Sequence, residues 1–186
     1  MIIGSLPDIG AEEGSVRNGM EFIVRRASLA DAEALRELYV EAAAWIREAK
    51  GIAQWQESWF TRAFIENFIG EHAVFAAMAE GRPVGCFSVQ WAYEDIWGEL
   101  YHEDAGYVHK LVTSRKHRGH GIGTRLLEQA AGYIREQGKS WLRLDCMADN
   151  PALNAFYVRH GLTLRGRFDG EYSAHLYEMR LDAEAR

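Results

Sequence analysis

The chain has 186 residues, of which 48% are apolar, 26% charged and 12% aromatic, and its formal net charge is -6. That length suits one domain with a single sizeable core, and that composition excludes a disordered, collagen-like or disulfide-dense chain. Net acidity argues against a nucleic-acid backbone as partner, and no apolar run reaches the roughly 18 residues of a membrane span.

Residues 1–19 hold four Gly, one Pro and no periodicity, so they are expected to form a flexible extension to one domain over 20–186. Residues 20–27 read as a short strand. Ser28 and Asp31 have capping-box spacing, and Leu35, Leu38, Tyr39, Ala42 and Ile46 then recur at helical spacing until Gly51. A second helix is predicted around Phe60, Phe64 and Phe68. Two apolar runs, 73–79 and 84–91, flank Glu80-Gly81-Arg82-Pro83, which is a hairpin signature. The next segment, 92–105, has five acidic residues and no Lys or Arg, and reads as a solvated connection.

A strand is predicted over 107–113. After a basic, glycine-rich loop, Ile122, Leu126, Leu127, Ala130, Tyr133 and Ile134 mark an amphipathic helix that stops at Gly138. Another strand covers 141–146. Asn150 then caps a short helix with Pro151 at its first position, where the missing donor costs nothing. Strand-like runs at 162–165 and 174–181 complete the chain. A helix between two strands implies a parallel right-handed crossover, and hairpins elsewhere imply antiparallel neighbours, so a mixed α/β sheet is expected. Cys86 and Cys146 lie inside strand runs, no CxxC pair exists and the first residues lack a signal-peptide pattern, which points to the cytoplasm.

The loop from Ser114 to Thr124 carries Arg115, Lys116 and Arg118 together with Gly119, Gly121 and Gly123, just ahead of a helix. Unpaired amides and the positive end of the helix dipole make such a place suited to phosphate, and small residues let the phosphate approach the main chain. A basic turn with glycines for geometry is the simpler alternative. A P-loop is excluded, because Gly-Lys-Ser/Thr does not follow at the required spacing. Gly119-x-Gly121-x-x-Thr124 nearly fits a dinucleotide fingerprint, with Asp145 in the next strand as its ribose-binding acid. Thr124 replaces the third small residue, however, and too few residues follow Asp145 for a second dinucleotide half. Nicotinamide binding therefore ranks second.

Arg118-x-x-Gly121-x-Gly123 resembles the R/Q-x-x-G-x-G/A acyl-CoA loop of the GNAT superfamily of N-acetyltransferases. Leu111-Val112-Thr113 is similar to the strand end before that loop, and Asn150-Pro151-x-x-Asn154-x-x-Tyr157-x-x-x-Gly161-Leu162 is similar to the family's second hallmark. The resemblance spans roughly residues 22–181. It implies an α/β fold with a mostly antiparallel sheet, a central parallel βαβ crossover and helices on both faces. The parallel strands would splay apart around acetyl-CoA. The pantetheine arm would then run beside Leu111, Val112 and Thr113, with the pyrophosphate on the amides of Arg118, Gly119, His120, Gly121, Ile122, Gly123 and Thr124. Asn150, Asn154 and Tyr157 would complete the cofactor site, Asn154 through its side-chain amide and Tyr157 near the sulfur.

The resemblance also implies direct attack by an amine on the thioester, with no acyl-enzyme and no role for either cysteine. Tyr157 is the candidate acid. Full proton transfer from a phenol of pKa ~10 to a thiolate of pKa ~8.5 is uphill by ~2 kcal/mol, so a strengthening hydrogen bond is the safer role. For the base, a related branch carries a glutamate where this chain has Tyr107. His109, on the same strand face, is the first substitute, ahead of Glu99, His102 and Asp104. Loss of that glutamate also keeps open a non-catalytic acyl-CoA sensor. Trp55, in the connection after the first helix, either walls the acceptor site or plugs the core. The acidic run and net charge favour a cationic acceptor, a small-molecule or peptide amine. His117 and His120 have no matching ligand cluster, so no metal site is expected. A homodimer stays open.

Overall fold

A computed structural model describes residues 20–50 and 55–181. The expected extension at 1–19 lies outside them, as do residues 51–54. Seven strands form one sheet: β1 (Ile23–Arg26), β2 (Ala73–Ala79), β3 (Arg82–Gln90), β4 (Ala105–Thr113), β5 (Trp141–Met147), β6 (Thr163–Asp169) and β7 (Ser173–Arg180). Their order is β1-β2-β3-β4-β5-β7-β6, antiparallel except between β4 and β5. The described helices are α1 (Ala32–Lys50), α2 (Arg62–Glu71), α3 (Glu94–Trp97), α4 (Ile122–Glu136) and α5 (Pro151–Arg159).

The start of α1 follows from the Ser28/Asp31 spacing. The Asp31 carboxylate accepts from the Ser28 amide at 2.8 Å and from its hydroxyl at 2.9 Å, and Arg25 donates to both oxygens at 2.8 Å. Leu35, Leu38, Tyr39, Ala42, Ala43 and Ile46 form the buried stripe of α1, packed with Ile65 and Phe68 of α2 on Val74, Ala76, Cys86 and Val112 of the sheet. At α2, the Thr61 side chain caps by accepting from the Phe64 amide at 3.1 Å.

The opposite face of the sheet carries α4 and α5. Ile122, Leu126, Leu127, Ala130 and Ile134 pack there with Leu142, Leu144, Leu153 and Phe156. Two strand glycines set how closely α4 approaches. A Cβ at Gly106 would lie 2.5 Å from Ile134, and one at Gly85 would lie 2.8 Å from Ile122 and Leu126.

The 92–105 segment is more ordered than a solvated connection. Its acidic residues Glu94, Asp95 and Glu99 are exposed, but Trp97 is buried with Ala105, Tyr107 and Leu176. The Arg143 guanidinium lies 4.3 Å over the Trp97 ring and pairs at 2.8 Å with Glu178. A charge pattern cannot report a single aromatic anchor. Among the described residues no helix is long and apolar enough to cross a membrane.

Candidate active site

Strands β4 and β5 pair over three positions only, Ala105↔Trp141 to Tyr107↔Arg143. Beyond them β4 keeps its ladder to β3, and β5 keeps its ladder to β7. A gap therefore opens in the middle of the sheet, as the resemblance implies. Within that gap β4 is bulged: Cys86 faces Val112 while Ser88 faces His109, so β4 carries one residue more than β3. The extra residue is Lys110, at φ 49°, a left-handed conformation that costs a non-glycine residue about 1–2 kcal/mol. The Tyr39 hydroxyl holds the bulge by donating to the Lys110 carbonyl at 3.0 Å. The bulge also resets the alternation. Leu111 packs with α4, whereas Val112 returns to the α1 side, joining the face that Tyr107 already occupies.

At one end of the gap lies the glycine loop. Gly119 and Gly121 have φ of 94° and 70°, and Gly121 is the N-cap of α4. Having no side chain, Gly121 caps none of the first-turn amides, so those of Ile122, Gly123 and Thr124 have no helical or capping acceptor among the described residues. A Cβ at Gly121 would meet nothing within 4 Å, so the space before these amides is open. Residues 113–115 and 117–123 line a depression there. The loop cations are not equivalent. Arg115 lies 3.9 Å over the Trp45 ring, Lys116 is 4.0 Å from Glu41, and Arg118 is exposed beside the glycines.

His120 contacts the His117 carbonyl through Nδ1 at 3.1 Å, and no group of three or more His, Cys, Asp or Glu residues suited to a metal occurs among the described residues. Thr124 bonds to His160 at 2.9 Å. Because His160 Nδ1 lies 2.8 Å from the Phe156 carbonyl and must donate to it, Nε2 accepts from the Thr124 hydroxyl. The Thr124 side chain is thus used on α5 while its amide faces the loop.

At the other end of the gap, α5 presents Tyr157. Its side chain is fully buried, and the hydroxyl has no hydrogen-bond partner among the described residues. Burial, reinforced by Cys146 and Asp145, pushes this phenol well above its usual pKa. A buried donor without a partner costs about 1–3 kcal/mol, which suits a site completed by a ligand.

The two asparagines of α5 differ from expectation. Asn150 accepts from the Leu153 amide at 3.2 Å, so its side chain is a helix cap. Asn154 donates to the carbonyls of Met147 at 3.0 Å and Asn150 at 2.7 Å, and accepts from His175 and Tyr177, both at 2.7 Å. Two donors and two lone pairs are thereby filled. As folded, Asn154 fastens α5 to β5 and β7, and binding a cofactor through its side-chain amide would require breaking one of these bonds. Sequence spacing puts Asn154 and Tyr157 on one helical face but cannot show that β7 claims the amide.

The other expected residues fall in two groups. His109 is 3% exposed on the face opposite α4, with the Tyr93 ring edge-on at 4.2 Å. Burial, with Lys110 and His72 adding repulsion, pushes its pKa well below the ordinary histidine value and keeps it neutral. Trp55 is 7% exposed and lies edge-on to Tyr39 at 5.7 Å and Phe60 at 5.1 Å, so of the two roles offered for it the structure has the core plug. Glu99 is exposed, Asp104 accepts from the Ser140 amide at 2.9 Å, and His102 lies against Trp141, all at the closed end of the ladder. Tyr107 donates its hydroxyl to the His102 carbonyl at 3.0 Å. Both cysteines are free and buried; burial raises Cys86 to about 12 and pushes Cys146 higher still. Neither is poised as a nucleophile. Lys110, Tyr93 and Asp145 are the gap residues to which the motif reading gave no part in acetyl transfer.

Residues 32–162 match the family described as acetyltransferase (GNAT). The chain is 34% identical over 163 residues to the uncharacterized N-acetyltransferase YesJ of Bacillus subtilis (strain 168), covering 83% of this chain and 87% of that one. Among solved structures it is similar to a GNAT-family acetyltransferase from Listeria monocytogenes 4b F2365, with 27% identity, a TM-score of 0.70, and coverage of 88% of this chain and 97% of that one. It also shares its fold with the PaiA N-acetyltransferase of Thermoplasma acidophilum in complex with coenzyme A, at 19% identity and a TM-score of 0.71, covering 87% of this chain and 99% of the other. Splayed parallel strands, the glycine loop on α4 and these likenesses agree: the chain belongs to the acetyltransferase (GNAT) family.

Proposed function

We propose that this protein is an acetyl-CoA-dependent N-acetyltransferase that moves an acetyl group to the primary amine of a small molecule or peptide by direct attack in a ternary complex. The observation that carries this reading is the gap between β4 and β5, with α4 amides at one end and the Tyr157 hydroxyl at the other that have no hydrogen-bond partner among the described residues. The chemistry present fits the cofactor. Amides of residues 118–124 and the exposed Arg118 would hold its pyrophosphate, and the β5-facing edge of Leu111, Val112 and Thr113 would pair with its pantetheine arm. When bound, acetyl-CoA supplies the acetyl group as an activated thioester.

The chain's own residues supply the rest. Tyr157 donates a hydrogen bond toward the position of the sulfur, and this bond strengthens as negative charge develops there. With its pKa raised by burial, the phenol keeps its proton rather than giving it up outright. His109, buried on the face opposite α4, is the proposed acceptor of the proton that the attacking ammonium must lose, directly or through water, and its lowered pKa makes it a weak base for that step. Two buried, unbridged cysteines suit a reducing cytoplasm.

The test is calorimetric titration with acetyl-CoA, followed by thiol release across a panel of amines. Binding with turnover of at least one amine supports the reading. Binding without turnover on any amine would make the protein an acyl-CoA sensor, and tight NADH binding without coenzyme A binding would return the dinucleotide alternative.

A further inference from the structure

Lys110 is a nucleophilic amine built into the edge of the gap itself. It is the residue that β4 carries in excess of β3, and its left-handed φ of 49° re-aims the strand. Two successive side chains, His109 and Lys110, therefore stand on one face, opposite α4. His109 meets the Tyr93 ring there, and the Lys110 ammonium lies 5.9 Å and 5.5 Å over the Phe64 and Phe68 rings of α2, while Leu111 turns to α4. The Tyr39 hydroxyl holds the Lys110 carbonyl, so the amine extends from a clamped point of the strand.

Three features suit this amine to attack a thioester. It is half-buried, and burial lowers its pKa against the attraction of Asp145 on β5, so a larger fraction is neutral than for a lysine in water. It is tethered where the reagent arrives. An acetyl-CoA whose arm runs along Leu111, Val112 and Thr113, with its sulfur near Tyr157, brings its carbonyl to the bulge, and a nucleophile held beside a bound reagent gains orders of magnitude in effective concentration. It also has few rivals. The chain has four lysines: Lys50 ends α1, Lys116 is exposed 4.0 Å from Glu41, and Lys139 donates to the Glu103 carbonyl at the closed end of the ladder. Among the described lysine side chains only Lys110 borders the gap.

Resting on the acetyltransferase reading above, we infer that Lys110 is a self-acetylation site: its Nζ attacks the thioester carbonyl carbon of the acetyl-CoA bound in the same chain. The C–N bond forms and the C–S bond breaks, its electron pair leaving with the sulfur of coenzyme A. Of the two protons that the ammonium gives up in becoming an amide, one ends on that sulfur and the other in solvent, by way of His109 or directly. Nothing is oxidised or reduced, and no further reactant is needed. The product places a neutral amide where His109 and His72 both feel a cation in the unmodified chain.

The inference is tested by mass spectrometry of the full chain after incubation with acetyl-CoA in the absence of any other amine, with peptide mapping of the lysines and a parallel calorimetric titration with coenzyme A. The expected result is one acetyl group on Lys110, at an occupancy at least about tenfold that of Lys116 or Lys139, lost when the chain is unfolded in urea. Its rate of appearance is expected to be independent of protein concentration, and a rate that rises with concentration would overturn the same-chain step. Coenzyme A binding with Lys110 unlabelled, or a label shared evenly among the lysines, would overturn the inference and leave the acetyltransferase reading standing. Absence of coenzyme A binding would instead bring down that reading, and the inference with it.

Discussion

Replacing Tyr157 with Phe removes one oxygen from a place where no described residue offers it a hydrogen bond. Two effects of opposite sign follow. Stability rises, because a buried unsatisfied hydroxyl costs about 1–3 kcal/mol and the ring that fills the site is unchanged. For a chain of this size each kcal/mol moves Tm by about 2–4 °C, so Tyr157→Phe melts about 2–12 °C higher without ligand. Turnover falls, because the hydrogen bond that answers charge on the sulfur is lost. Loss of one such donor costs about 10²–10³ in kcat at the well-organised end of the range. Acetyl-CoA affinity changes little, since the bond matters mainly as charge develops. Thermal melts of the free protein and thiol-release kinetics read both effects. A lower Tm would show that the hydroxyl is satisfied in the free protein, and an unchanged kcat with chemistry rate-limiting would remove Tyr157 from the reaction.

Three further substitutions probe the scaffold and the loop. Gly121→Val forces a β-branched side chain to φ 70° in front of the α4 amides, so coenzyme A affinity should fall at least about tenfold by calorimetry; wild-type affinity in a folded variant would move the phosphate site elsewhere. Gly106→Ala drives a methyl into Ile134, and urea unfolding should show a loss of about 1–3 kcal/mol; no loss would mean that α4 is not seated on this glycine. Arg25 and Ser28 hold the Asp31 carboxyl well below the usual carboxylate range, so its stabilisation is full above the unfolded value of about 4 and fades as pH falls below it. Asp31→Asn should therefore flatten the decline in Tm between pH 6 and pH 3, and an unaltered decline would exclude this pair as a source of acid lability.

Much of the frame is legible in the residues because it depends on period and spacing. Leu35 to Ile46 and Ile122 to Ile134 show their buried faces directly, and Glu80-Gly81 marks the turn between β2 and β3, with φ of 50° and 77°. The glycine loop is legible because only small residues leave α4 amides open. Features that depend on partners distant in sequence are not. The bulge at Lys110 carries no glycine to announce it, and its support comes from the Tyr39 hydroxyl on α1. Trp55 has the sequence context of a loop, yet Tyr39 and Phe60 enclose it. The amide of Asn154 is claimed by His175 and Tyr177, two residues of a strand that enters the chain last. Asp145 has the spacing of a ribose-binding acid, and only the shortness of the β4–β5 ladder shows that it faces a gap.

In the function proposed above, one molecule of acetyl-CoA bridges the α4 amides and the Tyr157 hydroxyl through the opening between β4 and β5. A crystal structure of the protein with acetyl-CoA tests it most directly. The expected result is a pyrophosphate against the amides of Ile122, Gly123 and Thr124, an arm paired along β4 after the bulge, and the sulfur within hydrogen-bond reach of Tyr157. Acetyl-CoA bound elsewhere, or a sulfur turned away from Tyr157, would contradict it.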